Sequence, residues 1–192
     1  VFFRRVRALL MTTGAAVLAV VLAGLPVYVR PQADPVRHAD VIVVLGGTGS
    51  ERIDIALELA AGGLAPEVLV SQSTGPDDPA LDRYCAGRFA FRVACFVPQP
   101  STVEGEAREV ARRASVYGWR HVMVVTLAPY ASRVRYVLGQ CFDGELSVVA
   151  GRVNPGASFW ARTYVRQTAG YVRAFVHPAC PTPGQAAARL LQ

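Results

Sequence analysis

The sequence contains no lysine; all twenty basic residues are arginine. That absence excludes a phosphate-loop lysine, a Schiff-base lysine and a Ser-Lys dyad within the chain. What remains is the residue best suited to forked recognition of phosphate and carboxylate. Histidine is scarce too, at three copies: His38, His121 and His177. His38 lies in a proline-flanked segment, His121 opens a β-branched run and His177 begins the tail, so neither a Ser-His-Asp triad nor a histidine metal site is expected. None of the four cysteines has CxxC spacing, which removes the commonest zinc and redox motifs. Internal repeats and low-complexity tracts are missing as well.

Charge is absent from residues 8–29, a run long enough to cross a hydrocarbon core about 30 Å thick as a helix. Ten of its residues are leucine or valine, each favouring insertion by roughly 0.3–0.6 kcal/mol. Arg4, Arg5 and Arg7 precede the run, while Arg30 and the more distant Arg37 follow it among prolines and Asp34. This asymmetry places the N-terminus inside and the rest of the chain outside. A cleaved signal peptide is the competing reading, although residues around Gly24, Leu25 and Pro26 lack an A-x-A site. The even cysteine count suits an oxidising compartment, and the expected pairs are Cys85 with Cys95 and Cys141 with Cys180, from proximity and strand ends. Four cysteines allow three connectivities, and free buried thiols are the alternative. The net charge of +6 falls to about +3 once the three N-terminal arginines are set aside, so no nucleic-acid footprint is present.

Residues 30–39, with two prolines, read as an extended tether reaching at most about 35 Å. Beyond it the pattern alternates between strand and helix over residues 40–176. Strands are expected at residues 41–45, 68–70, 93–97, 122–126 and 146–149. Helices are expected from Glu51 to the glycines at 62 and 63, at 80–88, along the Ala107, Val110, Ala111 and Ala114 stripe closed by Gly118, at 131–139 and at 158–176. The aromatics of the last helix (Phe159, Trp160, Tyr164, Tyr171, Phe175) read as core packing. The fold class is therefore α/β: a doubly wound, mainly parallel sheet of about five strands, a Rossmann-like three-layer sandwich behind an N-terminal transmembrane helix. Residues 177–192 form a peripheral proline-rich tail, with a loose helical turn at 186–191.

Ligands of open parallel sheets bind beyond the carboxyl ends of the strands. After the first strand, Gly46, Gly47, Thr48 and Gly49 let backbone amides approach an anion, with Arg52 as a forked phosphate contact. A tight turn capped by Ser50 is the plainer reading, and Arg52 stands where a dinucleotide fingerprint needs its third glycine. Ser71 opens the polar loop after the second strand. After the third, Thr102, Glu104 and Glu106 start a helix, either as a capping box or with a carboxylate facing the pocket as general base. After the fourth, Thr126, Tyr130 and Arg133 offer a second anion clamp. No metal or cofactor is expected.

The Ala39–Gly47 segment, Arg52, the stretch from Thr102 to Ala107, and Val124-Val125-Thr126 followed by Arg133 resemble, in order, the motifs of the YdcF-like family. The resemblance covers residues 40–149 and implies the α/β fold. Anchored members, similar to SanA and ElyC, are associated with envelope integrity and with peptidoglycan or undecaprenyl-linked glycan metabolism. A soluble member is associated with S-adenosylmethionine, a ligand scarce outside the cytoplasm and not carried over. Where many relatives have a histidine after the fourth strand, this chain has Tyr130. The expected partners are the lipid bilayer and a polyprenyl-phosphate or glycan precursor at the plasma membrane, which the domain either binds or processes as a hydrolase or transferase. A non-catalytic envelope scaffold and a cytoplasmic nucleotide binder are the alternatives.

Overall fold

Five runs rich in valine and other apolar residues make the strands, because branched side chains fit a pleated surface buried on both sides. They are β1 (Val41–Val44), β2 (Glu67–Ser71), β3 (Arg92–Phe96), β4 (His121–Leu127) and β5 (Glu145–Gly151). All pair in parallel, in the order β3-β2-β1-β4-β5. The computed structural model from which this follows describes residues 2–47, 50–75, 78–151, 153 and 156–180. The helical turn expected at 186–191 lies outside the described residues.

Among the described residues, α1 (Phe2–Gly24) precedes the sheet, α2 (Glu51–Ala61), α3 (Pro79–Cys85), α4 (Val103–Tyr117) and α5 (Ala128–Leu138) join successive strands, and α6 (Ala157–Val176) follows β5. Alternation along β1 sends Ile42 and Val44 to one face and Val41 and Val43 to the other. On the first face they meet Ile53, Ala56 and Ala60 of α2 and Tyr84 of α3. On the second they meet Val110 of α4, Val134 and Val137 of α5 and Ala174 of α6. The sheet therefore separates two cores, and β1 is buried along its whole length.

Helix boundaries follow local chemistry. Thr102 caps α4 by accepting from the Gly105 amide at 3.4 Å, and Gly118 ends it in the left-handed conformation at φ 72°. The first turn of α5 includes Pro129 and begins three residues before the expected 131, because proline's missing amide costs nothing there. Ser50 precedes α2 without a side-chain cap; its carbonyl accepts from Ile53 and Asp54 instead.

Helix α1 continues through a wider, π-helical turn over Leu25–Val29, where Pro26 cannot donate to the preceding turn. Together they form one helix, Phe3–Val29, long and apolar enough to cross a membrane and almost wholly uncovered by the rest of the chain. Its C-terminal end is docked. Ser132 of α5 donates to the Val27 carbonyl at 2.8 Å, and the Tyr28 hydroxyl meets that of Thr168 on α6 at 2.9 Å.

The segment at 30–39 is extended, as expected, and it is pinned to the domain along its length. Asp34 donates its amide to the Val148 carbonyl at 3.1 Å and accepts from the Val148 amide at 2.7 Å, so the segment covers the open edge of β5. Burial opposes ionisation of Asp34, but the Val148 amide and the Arg135 guanidinium at 2.6 Å outweigh it and lower its pKa. Farther along, Asp40 accepts from the Arg120 and His121 amides at 2.6 and 2.9 Å. The segment thus runs from the end of α1 to the amino-terminal side of the sheet. His121 sits on that side, its ring between the His38 carbonyl and the Ser147 hydroxyl.

Both expected disulfides are present. Cys85–Cys95 ties α3 to the edge strand β3, and Cys141–Cys180 ties the end of α6 to the turn after α5. In the chain-entropy model, loops of these sizes stabilise by about 2.7 and 3.9 kcal/mol respectively.

Candidate functional site

The strand order reverses at β1: β2 and β3 extend to one side of it, β4 and β5 to the other. The chain leaving β1 enters α2 on one face, and the chain leaving β4 enters α5 on the opposite face. A crevice must open between the two departing loops. There the structure has a pocket of about 480 Å³, within the range of small-ligand sites.

Its floor is Leu45, Gly46 and Gly47 from the first loop and Thr126 and Leu127 from the end of β4. Tyr130 and Arg133 of α5 form one wall, and α6 supplies the other through Phe159, Arg162, Thr163, Arg166 and Gln167. Four arginines line it, counting Arg52, and no carboxylate does among the described residues.

The glycines are required by close approach. A Cβ on Gly46 would fall 1.9 Å from the Ser73 hydroxyl oxygen. Gly47 has φ 140°, and a Cβ there would meet the Arg52 guanidinium at 2.5 Å. Arg52 explains the second clash. It is 5% exposed and folds back, donating to the Gly47 carbonyl at 2.6 Å and the Gly46 carbonyl at 3.4 Å. Expected as a phosphate fork, it holds the loop's shape while contributing charge to the pocket wall. Thr48 and Gly49 lie outside the described residues.

Arg133 lies across Gly170 of α6 and donates from Nε to the Gln167 side-chain oxygen at 2.7 Å. Burial lowers its pKa, countered by Glu104 and Glu106. One edge of its guanidinium is thereby fixed by the fold. Arg162 and Arg166 are exposed on α6, and with Arg133 they surround the mouth with positive charge.

The two carboxylates expected to face the pocket do not line it. Glu106 is 2% exposed and accepts from the Gly46 amide at 2.6 Å. It reaches the pocket only through the glycine it holds. Burial raises its pKa, with Ser71, the Gly46 amide, Arg52 and Arg133 recovering part of the shift. The buried Ser71 hydroxyl is turned toward this carboxylate but stands outside hydrogen-bond geometry. Glu104 is buried against α6, with Arg173 4.0 Å away. Its burial opposes ionisation, but the Thr102 hydroxyl, Arg173 and Arg133 lower its pKa overall. Both acids sit in the first turn of α4, where the helix dipole favours negative charge.

Of the residues expected from sequence, Gly46, Gly47, Arg52, Thr126, Tyr130 and Arg133 converge on the pocket. Ser71, with Gly46 and Gly47, borders a separate crevice on the β2 side, and Thr102 serves as a cap. The wall from α6 was missed because its arginines look like an ordinary solvated face. The available signal was their spacing: Phe159, Arg162, Thr163, Arg166 and Gln167 recur at three and four residues, one stripe of a helix.

Another recess, about 750 Å³, lies away from these groups, between α1 and α6. Comparison with known proteins finds no match for this chain among protein-family models, curated proteins or solved structures.

Proposed function

We propose that the chain is a YdcF-like, Rossmann-like three-layer domain held at the outer face of the plasma membrane by α1. In this reading its pocket binds the phosphate of a polyprenyl-linked envelope precursor. The observation that carries it is the pocket lining: four arginines and, among the described residues, no carboxylate, at the point where the strand order reverses. Forked guanidinium contacts and backbone amides are the groups suited to a phosphate or pyrophosphate. The two disulfides suit an oxidising compartment, and Arg4, Arg5 and Arg7 suit the cytoplasmic side of a membrane span.

The lining supports binding better than turnover. It offers hydroxyls, an amide and guanidinium groups, while Glu106 is sealed behind Gly46 and Glu104 is buried against α6. A role as carrier, sensor or scaffold for the phosphorylated lipid is therefore favoured over a hydrolase or transferase.

Titration of the full chain in detergent with a short prenyl phosphate and the matching prenyl alcohol tests this reading. The phosphate should bind saturably, one per chain, and at least about a hundredfold more tightly than the alcohol, as expected for two or more charge-assisted hydrogen bonds. Equal affinity for the two would refute it.

A further inference from the structure

The face of α6 turned away from the pocket is apolar and uncovered. Val165 is 70% and Phe175 77% exposed, with Val172 and Val176 beside them. An unpartnered stripe of this kind on a water-soluble surface is costly, and its position relative to α1 points to what covers it.

The two helices run side by side in the same direction. Trp160 and Tyr164 share a recess of about 480 Å³ with Val17, Val20 and Val21. The Tyr164 hydroxyl donates to the Val21 carbonyl at 3.0 Å. Its ring packs where a Cβ on Gly24 would lie, 2.2 Å away. One turn later along both helices, Thr168 meets Tyr28. Residues 160–168 of α6 therefore stand level with residues 17–28 of α1. That stretch of α1 rises about 16 Å, close to one leaflet of a hydrocarbon core about 30 Å thick.

We infer that α6 is a second membrane contact: it lies alongside α1 with its uncovered apolar face, Val165 to Val176, toward the lipid of the outer leaflet, acyl chains along its first turns and headgroups along its last. The occupant follows from continuity, since residues of the apolar helix Phe3–Val29 and residues of α6 form the walls of the same recesses. Level with Val17, Trp160 stands about 18 Å below Val29, near the middle of the hydrocarbon core, with Tyr164 one turn closer to its surface. The opposite face of the same turns carries Arg162 and Arg166 into the pocket. The pocket is thereby set close to the bilayer. The inference rests on the membrane-anchoring part of the proposed function and is independent of what the pocket binds.

The chain has two tryptophans, and they make the test. Trp160 faces the recess beside α1, whereas Trp119 stacks on Tyr117 at the amino-terminal side of the sheet. Full-length W119F and W160F would be inserted in phosphatidylcholine–phosphatidylglycerol vesicles with acyl chains brominated near the methyl end. Trp160 emission should fall by more than about half and Trp119 emission by less than about a tenth, as expected for an acyl-embedded and a water-side indole. In the unsubstituted chain the same lipids should remove the Trp160 share alone, a reading that needs no variant to fold. Vesicle flotation reports α1 by itself, so a chain that floats with an unquenched Trp160 overturns the α6 contact while leaving the anchor intact. Equal quenching of both tryptophans overturns it too. An unquenched Trp160 with a doubled mass in detergent would give the face to a second copy of the chain, and that also overturns it.

Discussion

Replacing Arg162 and Arg166 together with alanine should weaken prenyl phosphate binding by about two to four orders of magnitude. A hydrogen bond to a charged group contributes about 1.5–3 kcal/mol, and each 1.4 kcal/mol is about tenfold in affinity. Both side chains are exposed on α6, so the fold should tolerate their loss within about 0.5 kcal/mol per position. Arg52 and Arg133 are poorer probes. Arg52 holds the Gly46 and Gly47 carbonyls and Arg133 holds Gln167, so removing either mixes lost charge with lost shape. Calorimetric titration of R162A/R166A in detergent gives the ratio directly. An unchanged dissociation constant with an intact thermal transition would show that α6 is not part of the anion site.

Glu106→Ala should destabilise the domain by about 2–4 kcal/mol. It leaves the buried Gly46 amide without its acceptor, at about 1–3 kcal/mol, and opens a cavity beneath the loop. At about 2–4 °C per kcal/mol for a domain of this size, Tm should fall by roughly 4–16 °C. Glu106→Gln keeps an acceptor and should stay close to the parent, with a different pH dependence. Burial raises the pKa of Glu106 in the folded chain. Between the ordinary carboxyl value and this raised one, the folded state holds a proton that the unfolded state has released. Stability from this group is therefore complete at low pH and is lost as pH climbs through the window. E106Q has no such proton, so the difference in Tm between it and the parent should move steadily in favour of E106Q as pH rises. Scanning calorimetry across pH 4–8 measures both effects. A parent that gains stability relative to E106Q over the window would contradict the buried-acid reading.

The sheet was legible because its residues leave little choice. Val41 to Val44 and Val122 to Val125 are β-branched or apolar at every position, which only a strand covered on both faces can bury. The disulfide pairs were legible because Cys85 and Cys95 bracket one short helix-to-strand connection. Half of the site was equally readable, since loops after β1 and β4 must meet wherever strand order reverses there.

The rest was hidden for physical reasons. Nothing in the stretch from Thr102 to Ala107 tells whether Glu106 faces solvent or lies beneath Gly46, since both acids favour the first turn of a helix. Arg52 was readable as a cation but not as one folded onto its own loop. The α6 aromatics, expected in the core, divide by face. Phe159 lines the pocket, Trp160 and Tyr164 pack beside α1, and Phe175 is exposed. A periodicity count finds the apolar stripe of such a helix but not whether protein or lipid covers it. The segment at 30–39 has the composition of a free linker, and its bonds to the domain, Asp34 at the edge of β5 foremost, reveal it as a cover strip.

Native mass spectrometry of the full chain released from its own membrane, without added ligand, tests most directly whether the pocket holds a lipid by its phosphate. The expected result is one phosphorylated lipid per chain, retained by the parent and absent from R162A/R166A. Bound lipids that are unphosphorylated, or that survive the double substitution at the same occupancy, would contradict a phosphate site at the bilayer surface.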